Sequence, residues 1–243
     1  MPNQAPSAHN DADKLLPPDQ APEAKPVRHH PIVRVTHWLA FPLLFLMMAS
    51  GLQIYRAYPS FGERGATPYP NPVGAVAFPE WTRLGGWLAG GINWHFFLMW
   101  PLILVGFSYF VYLLFSGEWQ KLVFRPRDVR PAFQMTRYYL RLRREHPAQG
   151  KHNALQKAAY TFILLLGVLA VASGFAIWKP VQLSWLVGLL GGFQSARYWH
   201  FWTVWLFAGF TIVHVILVFA VDPTSLLAMT TGRYRGRFTS DEA

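Results

Sequence analysis

The chain has no cysteine among its 243 residues. That excludes disulfides, c-type haem attachment through C-x-x-C-H, and iron–sulfur clusters held by thiolates. Any redox metal must therefore rest on other ligands. Charge is also scarce: 14% of residues are Asp, Glu, Lys or Arg, where a soluble domain has about 25%. Acidic residues are the rarer sign, 12 against 22 Lys and Arg. The first 31 residues, MPNQAPSAHNDADKLLPPDQAPEAKPVRHHP, contain no apolar run, so they do not read as a secretory signal. Their Pro, Ala and Asp content predicts a disordered tail, 1–31, with the first span acting as an uncleaved insertion signal.

What is present in excess is apolar surface, 52% hydrophobic and 16% aromatic. It is gathered into four runs free of Asp, Glu, Lys and Arg: Val35–Tyr55, Trp94–Phe115, Ala158–Trp178 and Tyr198–Val221. Each is long enough to cross a hydrocarbon core of about 30 Å at about 1.5 Å per residue. Four such runs leave too little polar surface to cover them in water. The expected fold is an all-α membrane protein, a four-helix bundle over residues 32–235, with a short tail at 236–243.

Orientation follows from the basic residues. Lys14, Lys25, Arg28 and Arg34 precede the first span. Lys121, Arg125, Arg127, Arg130, Arg137, Arg141, Arg143, Arg144 and Lys151 lie between the second and third, and Arg233, Arg235 and Arg237 follow the fourth. The opposite side holds only Arg56, Arg64, Arg83, Lys179 and Arg197. Both termini and the middle loop are thus expected in the cytoplasm, and the chain in a bacterial inner membrane. The net charge of +10 is explained by topology and anionic headgroups, not by nucleic acid. AFQMTRYYLRLRR, 132–144, reads as a basic helix lying on the inner surface.

An internal echo runs through the spans. NWHFFLMW opens the second and YWHFWTVW the fourth; the first ends in ASGLQIY and the third in ASGFAIW. Two related helical hairpins are implied.

Nine histidines are present. His9, His29 and His30 fall in the tail, His146 in the basic loop and His152 at the entry to the third span. His37, His95, His200 and His214 lie within spans, where an ionisable residue is costly and faces the interior with a partner. Fourteen residues at about 100° each put His200 and His214 on one face of the fourth helix, about 21 Å apart along its axis. With helices alternating up and down, two pairs form at matching heights. His95 with His200 lies toward the periplasm, and His37 with His214 toward the cytoplasm. Two imidazoles at one depth in an aromatic surround suit a low-spin b-type haem, so two haem b groups are expected. Zinc is a poorer fit, since it wants four ligands. A transporter or proton channel using the histidines stays open, though no acidic partner lies in any span.

Arg34-x-x-His37 and Arg197-x-x-His200 place an arginine one turn outward from a ligand on the same face, a suitable partner for a haem propionate. Gly51, Gly106, Gly174 and Gly209 are candidates for letting a flat macrocycle approach the backbone, although small residues also serve plain helix packing.

RVTHWL, SGLQIY, WHFF, HNALQK, SGFAIW, RYWHFW and VHVIL together resemble the bacterial di-haem cytochrome b superfamily. That group includes the membrane subunits of Ni,Fe-hydrogenase, formate dehydrogenase and thiosulfate reductase, and the cytochrome b561 proteins. The likeness covers about residues 31–235. It implies an electron-transfer subunit passing electrons between a periplasmic catalytic partner, a molybdopterin oxidoreductase or a hydrogenase-like enzyme, and membrane quinone. It also implies a quinone site at the cytoplasmic end, formed by His152, Asn153, Gln156 and Lys157. Read from the residues alone, Asn153 is equally a helix N-cap. A stand-alone cytochrome b561-type carrier is the alternative.

Overall fold

The computed structural model describes residues 29–62, 69–71, 73, 78–145, 147, 153–220 and 223–232. His9, His146, His152, most of the N-terminal tail and the C-terminal tail lie outside the described residues. Four helices are long and apolar enough to cross a membrane: α1 (Pro31–Ala57), α2 (Leu88–Ser116), α5 (Ala154–Trp178) and α7 (Phe193–Ala220). Shorter helices connect and flank them: α3 (Trp119–Leu122), α4 (Val129–Tyr139), α6 (Ser184–Leu189) and α8 (Pro223–Thr231).

Each spanning helix runs past the apolar segment that predicts it, because local chemistry outside that segment also favours helix. α1 starts at Pro31, whose missing N–H and fixed φ suit the first turn, with the His30 side chain accepting from the Ile32 N–H. α5 starts in a reciprocal box, where Asn153 accepts from the Gln156 N–H and the Gln156 side chain accepts from the Asn153 N–H. α2 ends at Gly117, which takes the left-handed conformation at φ 71. Pro42 and Pro101 lie inside α1 and α2, a placement that membrane helices tolerate.

α1 packs on α2 and α5 on α7, and these two hairpins hold most of the close helix contact. Their starts keep register: Pro31 to Ala154 and Ser50 to Ser173 have the same spacing, as do Leu88 to Phe193 and His95 to His200. The echo in the sequence is therefore two copies of one hairpin. Large apolar side chains face outward along the spans, Phe97, Leu104, Val168 and Phe219 among them. That pattern is a lipid-facing surface.

One end of the bundle carries the connections between α1 and α2 and between α5 and α7, and we call it the loop end. There Phe61, 2% exposed, packs against both Tyr55 of α1 and Phe201 of α7, whose own rings stack at 4.5 Å. This cluster ties the hairpins together. Gly85 enters α2 so closely that a Cβ would meet the Gly91 nitrogen at 2.3 Å, and its φ of +113 suits only glycine.

The other end is basic. α3 and α4 fold back on α5. Phe124 N–H donates to Thr161 Oγ1, and Lys157 pairs with Asp128 at 3.0 Å. Burial opposes the charge on Asp128, yet the Arg125 N–H, the Lys157 ammonium and nearby Arg127 hold its carboxyl below the usual carboxylate range. α4 presents Val129 and Phe133 outward and buries Met135. The basic helix expected over 132–144 stops at Tyr139. Arg141 turns to φ 59, with Leu142 N–H reaching back to Arg137 O, so a Schellman-type close ends it without glycine.

Candidate haem-binding site

The four span histidines meet in two pairs. His37 and His214 rings lie 6.1 Å apart, centre to centre, with planes crossed at 68°. His95 and His200 also lie 6.1 Å apart, crossed at 80°. Among the described residues no three His, Asp or Glu side chains converge, so each pair is a two-ligand set. Two imidazoles sharing one metal, each bond about 2 Å and each ring centre about 1.2 Å behind its nitrogen, would put the centres up to about 6.4 Å apart. Both pairs fit a bis-imidazole haem.

At the loop end the rings are held alike. Ser50, fully buried, donates its hydroxyl proton to the Met47 carbonyl and lies 2.9 Å from His95 Nδ1. Ser173, fully buried, donates to the Leu169 carbonyl and lies 3.1 Å from His200 Nδ1, which is also 3.0 Å from the Ala170 carbonyl. A carbonyl only accepts, and a hydroxyl that has given its proton away accepts too. Each Nδ1 therefore carries the proton, and each Nε2 keeps the lone pair a metal needs. The next residue closes the cradle. A Cβ on Gly51 would stand 3.6 Å from His95 Cε1, and one on Gly174 3.1 Å from His200 Cε1. The Ala-Ser-Gly echo was the sequence's pointer to this cradle, although the roles of Ser50 and Ser173 are visible only in the structure. Gly106 and Gly209, candidates on the same reasoning, face open space.

At the basic end the surround differs. His214 stacks on Phe210 at 5.8 Å, nearly parallel, and His37 meets Trp38 edge-on. His214 is exposed and His37 is half-buried.

The arginines one turn outward have other partners. Arg34 donates to the carbonyls of Met229 and Thr230 and so closes α8. Arg197 donates to Gln194 Oε1 at 2.7 Å and lies over the rings of Tyr58 and Phe61. Of the residues singled out for quinone, Asn153 and Gln156 form the α5 cap and Lys157 the Asp128 pair.

Residues 28–232 match the family model for prokaryotic cytochrome b561. The chain belongs to that family. It is a cytochrome b-type membrane protein of electron transport. A relative from Azospira oryzae (strain ATCC BAA-33 / DSM 13638 / PS), which carries the name protein-methionine-sulfoxide reductase subunit YedZ1, is 37% identical over 205 residues, covering 84% of this chain and 96% of the relative. An Escherichia coli K12 relative, named as the Ni/Fe-hydrogenase 1 B-type cytochrome subunit, is 24% identical over 78% of this chain and 80% of its own length. No solved structure matches the cytochrome significantly.

Proposed function

We propose that the chain is a di-haem membrane anchor that passes electrons between a redox partner at the loop end and quinone at the basic end. The observation that carries this reading is the repeated 6.1 Å spacing of crossed imidazoles at two levels of one bundle. His37 with His214 holds one haem b, and His95 with His200 holds the other. Bound there, haem b supplies a one-electron centre. The residues do the rest: Ser50 and Ser173 fix the ligand tautomer, and the aromatic cluster around Phe61 excludes water. Fixed ligands on rigid helices keep reorganisation small.

Topology and partner belong to the same proposal. The basic end faces the cytoplasm by its Lys and Arg content, which puts the loop end in the periplasm of a bacterial inner membrane. Both relatives are named as subunits of redox enzymes, which supports a catalytic partner of that kind, molybdopterin-dependent or hydrogenase-like. Trp81, Trp87 and Trp185 stand exposed on the loop end, apolar area suited to an interface. At the basic end, Asn153 uses its side-chain oxygen as a cap, and its amide Nδ2 is the donor that a quinone carbonyl would take. Arg197 keeps its place beside His200 as a propionate partner, whereas Arg34 serves α8.

The test is haem stoichiometry by pyridine haemochromogen, with a reduced-minus-oxidised spectrum, on the purified full chain. Two haems per chain are expected. His37→Ala or His214→Ala removes one, and His95→Ala or His200→Ala the other. Four single variants that all keep two haems would sink the assignment, and a protein without a b-type band would sink the haem reading as a whole.

A further inference from the structure

Arg83 is the charged member of a small set of buried side chains that lack a hydrogen-bond partner at one atom. Among the described residues, its Nε has none. The side chain is only 7% accessible. Its Nη1 donates to a neutral acceptor, Gln53 Oε1, at 3.2 Å. Among the described residues the nearest anion is Glu80, 3.8 Å away and 96% exposed, a long contact to a solvated carboxylate that compensates little charge. A guanidinium out of water wants a close, preferably bidentate carboxylate. None of the described protein groups supplies one.

Its position says what does. Leu84 N–H donates to the Ala49 carbonyl, which pins the segment to α1 beside Ser50 and Gly51. Gln53, the partner of Arg83, lies one turn outward from Ser50, and Ser50 touches His95 Nδ1 at 2.9 Å. Gln53 also packs on Gly91, one turn before His95 on α2. Arg83 thus stands about one helical turn, about 5.4 Å, outward from the His95 level. Arg197 stands one turn outward from His200 on the opposite hairpin, so the loop-end pair is flanked by an arginine from each hairpin.

We propose that Arg83 binds a carboxylate at the edge of the loop-end site, a propionate of the haem held by His95 and His200. The inference rests on the di-haem reading above. A purely structural role, pinning the loop to Gln53, uses one nitrogen and leaves the charge and Nε unexplained.

The experiment is a redox titration of the purified full chain with Arg83→Gln and Arg83→Lys, alongside haem content. His95→Ala, which loses the loop-end haem, identifies that haem's signal. Removing the cation beside a propionate favours the ferric state, so Arg83→Gln is expected to lower the loop-end midpoint. The expected change is on the order of tenfold in the oxidised-to-reduced ratio, 59 mV for one electron. Arg83→Lys keeps the charge and most of the midpoint, and Arg56→Gln, exposed at the end of α1, leaves it in place. Loss of the loop-end haem in Arg83→Gln with retention in Arg83→Lys supports the proposal equally. Two retained haems with unmoved midpoints in Arg83→Gln overturn it and leave the di-haem reading standing. Haem loss in both variants assigns Arg83 to packing and overturns it too. If Arg83→Gln moves neither midpoint but releases a co-purifying subunit, the carboxylate is the partner's and the propionate assignment falls. A wild-type chain without haem defeats the parent reading instead.

Discussion

Gly51 and Gly174 occupy the same place in the repeated Ala-Ser-Gly cradle, yet alanine should act differently at the two. A Cβ on Gly174 would stand 3.1 Å from His200 Cε1 and 3.6 Å from its Nδ1. Ordinary carbon contacts are about 3.5–4.0 Å, so the ring must yield by a few tenths of an ångström. It has little freedom to do so, because Nδ1 is held by Ser173 Oγ and the Ala170 carbonyl, and the following Phe201 is buried in the loop-end cluster. Overpacking of this kind costs about 1–3 kcal/mol. Every 1.4 kcal/mol is about tenfold in an equilibrium constant, so loop-end haem affinity in Gly174→Ala should fall by about fivefold to a hundredfold. On Gly51 the same methyl would meet His95 Cε1 at 3.6 Å and Nδ1 at 3.9 Å, which is ordinary contact. Gly51→Ala should therefore keep its haem and gain helix propensity, about 0.8–1.0 kcal/mol on peptide scales. The assay is haem retained per chain during dilution in detergent, with midpoints of whatever remains. Equal loss in both variants would refute the reasoning, since the macrocycle and not the imidazole would then need the space at both glycines.

Ser50→Ala and Ser173→Ala should each weaken the loop-end haem by about tenfold, the lower end of outer-shell effects, while the threonine variants, which keep the hydroxyl, hold it; equal loss in alanine and threonine variants would point to packing. Asp128 has a folded pKa below its unfolded value, so its stabilisation is complete above the ordinary carboxylate range and is lost as pH falls through that range toward the folded pKa. Hydrogen exchange of 124–139 at neutral pH should then speed up in Asp128→Asn by an amount matching about 1.5–3 kcal/mol, the strength of a charge-assisted hydrogen bond, with wild type and variant converging in acid. Arg34→Gln should loosen α8, whose last carbonyls it closes, and leave the midpoint of the basic-end haem in place; a fallen midpoint would return Arg34 to the propionate role.

Much of the site is legible because membrane helices are stiff rods with known rise. The depth of His37, His95, His200 and His214 follows from counting residues, and the observed pairs are those that counting gives. Arginine is harder to place. Arg34 and Arg197 share the same three-residue step to a histidine, but a long flexible stem lets the guanidinium find carbonyls elsewhere, as Arg34 does on α8. Arg83 has no such spacing. It lies on a connecting segment whose path depends on the Leu84–Ala49 and Gln53 contacts, which no periodicity encodes. The 132–144 segment failed for a related reason: its charges and apolar residues keep helical rhythm past Tyr139, while the chain closes through Arg141 in a conformation that sequence patterns assign to glycine.

The repeat also bears on how many haems the bundle holds. The spacing that carries Ser50 to Ser173 carries His37 to Tyr160, and the spacing that carries His95 to His200 carries Tyr109 to His214. The loop-end pair is thus made of equivalent residues, one from each hairpin, and stands as a single site shared by both. The basic-end pair joins non-equivalent positions, α1 with α7, so two copies of the hairpin generate a second such place between α5 and α2. There the sequence puts Tyr160 and Tyr109. A neutral phenol has no imidazole lone pair to offer iron, and a pair of phenolates would place two like charges together in a dry site. The repeat accordingly marks three places for a histidine pair and puts histidines at two of them, which on the di-haem reading sets the stoichiometry and leaves the bundle asymmetric at its basic end.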